Sequence, residues 1–241
     1  MITIVRSVGE LDSGHASRPE REDAGAPPPT SSCDSDWNQQ VRRVIGTVYR
    51  PHPDLEDHRS RFPWLDGFLG DPNSPVWFVA WYPSTTAVAS INSKASTCED
   101  QWRATKGDQL FRQNLCSHGF RSGKLNDPGG WRCYITDIVK ADSVPKDFNK
   151  LQRAERERLY ETWLPVLEWE FAHGKPALVV SVGNAVSRYL DELSPRLVSA
   201  RGKSMQRAHV MHYAFFTRGE DSPSNRTRYA KEFEAVESAL T

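Results

Sequence analysis

Two hydrophobic periods alternate along this chain. Short continuous apolar runs, with no polar alternation, stand at Val76–Trp81, at Cys133–Ile138, within "PALVVSVG" and within "AHVMHYAFF". Such runs suit strands buried on both faces. Between them lie segments with apolar residues at helical spacing. "WNQQVRRVIGTVYR" reads as an amphipathic helix, and "GDQLFRQNLCSHGF" has Leu110, Phe111 and Leu115 on one side before a stop at Gly119. From about Lys150 to His173 a long charged helix places Leu159, Trp163, Leu167 and Phe171 four apart, and Pro165 should kink it or divide it in two. "GNAVSRYL" and "NRTRYAKEFEAVESAL" supply two more helices.

Strands alternating with helices predict an α/β fold: a single domain with a short, mainly parallel central sheet and helices on both faces. In such sheets ligands gather at the carboxyl ends of the strands. The residues to inspect are therefore Tyr82–Thr85, Asp137–Lys140, Gly183–Asn184 and His212–Arg218.

Residues 1–36 break the pattern. They hold no Phe, Trp or Tyr and carry "GAPPPTSSCDSD", too little apolar area to offset the entropy of ordering. They are expected to be disordered or loosely docked, with Met1–Val5 as an optional strand, and residues 37–241 form the domain. Composition adds limits. The 241 residues have a formal net charge of zero, so any nucleic-acid binding rests on a local patch rather than a global field. No apolar run approaches the roughly 20 residues of a membrane span, and no secretory signal is visible. Cys33, Cys98, Cys116 and Cys133 are widely spaced, which fits reduced thiols in a cytoplasm better than a disulfide framework.

Five segments in order then resemble the uracil-DNA glycosylase superfamily, particularly its thermophile-type branch, over about residues 70–240. "VWFVAWYPS" stands for the strand, turn and Pro of the first motif, and "GDQLFRQNLCSHGF" resembles the G-x-x-L-x-x-x-L-x-x-x-G helix. "CYITDIVKAD" resembles a strand ending Thr-Asn, two apolar residues and Lys. "ALVVSVGNAVSRYL" resembles the apolar strand, Gly and helix, and "VMHY" takes the place of His-Pro-Ser. The resemblance implies an N-glycosyl hydrolase that flips a base out of DNA. It implies a base pocket at Trp81, Tyr82, Ser84, Asp137 and Asn184, with His212 stabilising the departing base through its O2. The chain departs from the family in three ways. Trp81 and Tyr82 replace the water-positioning carboxylate, Tyr213 replaces the last motif's Pro, and the cluster-binding cysteines are missing, with Ala141 after Lys140. No metal, iron–sulfur cluster or other cofactor is expected, and water is the sole co-substrate. Asp100 and Asp108 are the nearest spare carboxylates.

The remaining candidates each carry a plainer alternative. Phe215 and Phe216 suit a wedge filling the gap left by a flipped base, or ordinary strand positions. Arg201, Lys203, Arg207 and Arg218 suit phosphate contacts, or a solvated surface. His212 alone is equally a core or surface histidine. Asp137 alone is equally a cap. At the position where uracil readers carry Asn, an ionised Asp accepts from a cytosine 4-amino group but cannot donate, and a protonated one also donates to N3. Ser84 stands where strict uracil enzymes hold a bulky Tyr that excludes substituents at carbon 5. Together they predict a monomeric glycosylase for 5-modified cytosine, hydroxymethylated or glucosylated, in bacteriophage DNA. A uracil or damaged-base repair enzyme and an inert DNA-binding protein on the same scaffold are the competing expectations.

Overall fold

The computed structural model describes residues 35–55, 57–84, 97–125, 127–142, 150–217 and 223–240. Its centre is a five-stranded sheet in the order β1-β3-β2-β4-β5. The strands are β1 (Phe68–Gly70), β2 (Val76–Ala80), β3 (Tyr134–Asp137), β4 (Leu178–Val182) and β5 (Gln206–Val210). All neighbours are parallel except β1, which runs antiparallel to β3. The three-residue β1 has too few positions to show a period, and the sequence reading misses it.

Side chains alternate along each strand, so the continuous apolar runs feed two cores. Trp77, Val79, Tyr134 and Val179 face helices α1 (Asp36–Tyr49), α3 (Arg153–Gly174) and α4 (Asn184–Arg201). Phe78, Ile135, Val180 and Val210 face α2 (Lys106–Ser117), the short α5 (Ala214–Thr217) and α6 (Pro223–Ser238). This is the expected α/β domain. The first helix starts one residue before the expected domain boundary, because the Ser35 side chain caps it by accepting from Asn38 N–H.

Three expectations change. Helix α3 is continuous through Pro165. The carbonyl that Pro165 leaves unpaired belongs to Glu161, and both residues lie on the exposed face, open to solvent. Trp163, Leu164, Val166 and Leu167 remain clamped in the core. The last strand ends at Val210 rather than running to Phe216. His212 Nδ1 accepts from Ala214 N–H at 3.2 Å and turns the chain into α5, so Phe215 and Phe216 are helical. Finally, Cys98 is disulfide-bonded, whereas Cys116 and Cys133 are free thiols. No helix among the described residues is long and apolar enough to cross a membrane.

Gly174 ends α3 against the sheet. A Cβ there would lie 2.0 Å from the ring of Trp77, which is wholly buried, and 3.1 Å from Pro72 O. Gly174→Ala is expected to destabilise the fold by about 1–3 kcal/mol, the usual cost of overpacking, as a lower midpoint in urea unfolding.

Candidate functional site

A cleft of about 410 Å³, open solvent at its mouth included, lies beyond the carboxyl ends of β2 and β3. Tyr82, Pro83 and Ser84 leave β2 on one side, Asp137 closes the floor, and Tyr213 approaches from the segment after β5. Trp64 and Leu65 form one wall, and Asp100, Gln101 and Trp102 another.

The walls are held by buried polar contacts. His58 meets Leu65 O through Nε2 at 2.6 Å. Arg42 grips both oxygens of the buried Asp66 at 2.7–3.1 Å. Gln101 is buried and spans three elements, accepting from Gly67 N–H at 3.0 Å and donating to Phe68 O at 3.0 Å and Cys98 O at 3.2 Å. Arg112 reaches from α2 to Glu99 O and Gln101 O at 2.7 and 3.1 Å. Trp102, on that same wall, holds φ at +52°, an uncommon conformation for a bulky residue and one that surrounding contacts must enforce.

Beneath the floor lies a wholly buried ion pair. Lys140 Nζ is 3.1 Å from Glu170 Oε2, with both side chains at zero exposure. Glu170 also accepts from Tyr134 at 2.8 Å, and the Thr136 hydroxyl lies between Glu170 and Lys140. Each polar group in this nest therefore has a partner, the condition on which a buried pair is tolerated. Lys140 and Asp137 N–H further share Gly67 O, at 3.4 and 2.7 Å. Gly67 has φ +74°, and a Cβ there would press on Lys140 and Pro83 at 3.3 Å, so glycine alone suits this turn.

Asp137 is 2% exposed. No group among the described residues hydrogen-bonds its carboxyl oxygens, although its backbone is fixed. Burial pushes its pKa well above the ordinary range, Lys140 opposes this, and Glu170 and Asp108 reinforce it. The cap reading is thereby removed, since a capping carboxylate accepts backbone donors. Asp108, also in the cleft, forms the capping box of α2, accepting from Thr105 N–H at 2.8 Å. Burial raises its pKa, while the Thr105 bonds and the Tyr213 hydroxyl lower it. Asp100 pairs with Arg103 at 3.2 Å and accepts from Thr97 N–H at 2.9 Å.

The chain matches no family model and no curated protein.

The structure therefore brings Tyr82, Ser84 and Asp137 together and leaves other candidates outside the cleft. Trp81 turns away, donating to Tyr160 at 2.5 Å. Asn184 opens α4 and is exposed. His212 sits beside the lining residue Tyr213, with ring centroids 4.2 Å apart, and packs at Gly183, where a Cβ would approach it to 3.2 Å. Because Nδ1 accepts from Ala214, its neutral ring carries the proton on Nε2. Phe216 is a core residue whose ring packs at a tilt against Tyr229, whereas Phe215 is 54% exposed. Arg201, Lys203 and Arg207 lie at the amino end of β5, opposite the cleft. Arg201 caps Lys203 O and Ser204 O, and Arg207 bonds Leu190 O. Arg218 lies outside the described residues. Trp64, Leu65, Gln101 and Trp102 come from loops with no periodic signal.

The floor carries a pH signature. Asp137 contributes stability that is fully present below its unfolded pKa near 3.8 and is lost as pH rises towards and through its raised folded value. Asn has no such dependence. Asp137→Asn should therefore gain stability relative to the native protein as pH is raised from about 4 to 7, with the two converging below that window. Urea unfolding across this range is the check.

Proposed function

We propose that this protein is a DNA glycosylase that hydrolyses the N-glycosidic bond of a 5-substituted cytosine, such as hydroxymethylated or glucosylated cytosine in bacteriophage DNA. The observation that carries the reading is Asp137: a buried carboxyl at the cleft floor, with no hydrogen-bonding partner for its oxygens among the described residues and with its pKa pushed well above the ordinary range by burial, which favours the neutral form. A neutral carboxyl is both donor and acceptor. Against a flipped cytosine its O–H meets N3 and its carbonyl oxygen accepts from the 4-amino group.

Chemistry favours cytosine further. Cytosine N3 is a basic nitrogen, so the Asp137 proton can pass to it and the base departs neutral rather than as an anion. Uracil N3 already bears hydrogen and has no basic site there. Proton transfer by a placed acid supplies about 10²–10⁴-fold, and a raised carboxyl pKa is what keeps that acid loaded. Tyr82, partly buried at the cleft edge, offers a stacking face. Ser84 leaves room at carbon 5 where a larger side chain would close it. His212 stands beside the lining residue Tyr213 but outside the cleft, so this reading gives it no direct contact with the base.

Purified protein should be incubated with matched duplexes bearing uracil, cytosine, 5-hydroxymethylcytosine or its glucosylated form, and abasic sites scored by alkaline cleavage. The native protein should act on 5-substituted cytosine alone. Asp137→Asn should lose at least about a hundredfold there and shift its preference towards uracil, since each base-edge contact is worth about 1–3 kcal/mol. An identical ranking by both proteins would remove Asp137 from base reading, and no abasic sites on any duplex would leave the inert binder.

A further inference from the structure

We propose that Asp108, on the first turn of α2, takes the proton from the attacking water. This inference rests on the base-excision reading above. The strand-end segment Trp81–Ser84 contains no carboxylate, so the group must come from elsewhere in the cleft. Three carboxyls line it: Asp100, Asp108 and Asp137. Asp137 is committed to the base. Asp100 is held in an ion pair with Arg103 and accepts from both the N–H and the hydroxyl of Thr97, at 2.9 and 3.1 Å. A cationic partner lowers its basicity.

Asp108 differs. It is 5% exposed, and the donors around it, Thr105 and the Tyr213 hydroxyl, are neutral. The capping box fixes its rotamer, since Thr105 Oγ1 accepts from Asp108 N–H at 3.1 Å while Asp108 Oδ2 accepts in return. Gly107 lets Tyr213 approach, because a Cβ there would lie 2.6 Å from the Tyr213 ring. The titratable groups sharing this cleft are Tyr82, Asp100, Asp137 and Tyr213, and Lys106 on its own helix is exposed. Burial in this company strengthens Asp108 as a base.

The step balances. The water oxygen bonds to C1′ and one water proton goes to the Asp108 carboxylate. The C1′–N1 electron pair leaves with the base, which also carries the former Asp137 proton on N3. Asp108 is left protonated and Asp137 ionised, and exchange of one proton through solvent restores both. Turnover therefore needs Asp108 ionised and Asp137 protonated, which gives a bell-shaped pH dependence.

Single-turnover base release is measured against pH on duplexes bearing 5-hydroxymethylcytosine and its glucosylated form. Asn keeps the cap, so Asp108→Asn should bind the duplex as the native protein does. It should lose about 10²–10³-fold in rate, and its acidic limb should vanish while the alkaline limb remains. If that variant does not fold, Asp108→Gln, whose amide oxygen suits the same N3 position of the capping box, replaces it. A rate within about threefold of native with the acidic limb intact overturns the role of Asp108. So does loss of that limb in Asp100→Asn instead. A native protein that releases no base from either duplex overturns the excision reading, and this role with it.

Discussion

The buried pair of Lys140 and Glu170 is the interaction on which the cleft floor depends. It joins the residues just after β3 to the last turns of α3, and it recruits Tyr134 and Thr136 from the strand itself. Lys140 and Asp137 N–H both close on Gly67 O, so the turn before β1 is tied to the same nest. Removing either charge would leave the other buried and unpaired, a loss of about 3–5 kcal/mol in comparable cases. A pair of this kind contributes little net stability over an apolar substitute. What it does here is fix geometry, because β3 cannot slide along the sheet without tearing these polar contacts.

That geometry explains how a carboxyl comes to be buried with no hydrogen-bonding partner for its oxygens among the described residues. Asp137 stands at the last position of a strand whose other residues are all enclosed. Its backbone is satisfied by Gly67, and the cations that would ionise it are spent, with Lys140 neutralised by Glu170. Desolvation is the largest influence on Asp137, Lys140 opposes it, and Glu170 and Asp108 reinforce it, so the carboxyl is pushed towards its neutral form. Asp108, nearby in the same cleft, is less strongly affected because Thr105 stabilises its charged form. Two carboxyls in one cleft, shifted to different degrees, are the arrangement from which acid and base roles divide.

Much of this was legible in the residue pattern. The apolar runs at 76–81, 133–138 and 178–182 identify central strands because parallel strands are buried on both faces. The strand-end rule then selects Tyr82, Ser84 and Asp137, all of which line the cleft. The rule also explains one failure. Arg201, Lys203 and Arg207 precede or open the parallel strand β5, so they fall at the end of the sheet opposite the cleft. The walls were illegible for a different reason. Trp64, Leu65, Gln101 and Trp102 belong to irregular segments set by single long-range hydrogen bonds, such as Gln101 to Gly67, which leave no period in the sequence. The turn at 214–217 was hidden because a histidine ring, rather than a common capping residue, begins it.

The central claim is that Asp137 is a neutral acid at working pH. Carbon-13 NMR of the protein labelled at aspartate side-chain carboxyl carbons tests it most directly, with the Asp137 signal assigned by its absence in Asp137→Asn. The account predicts a carboxyl resonance that stays in its protonated position through neutral pH and titrates only well above 3.8. A signal already in the carboxylate position at neutral pH would contradict it.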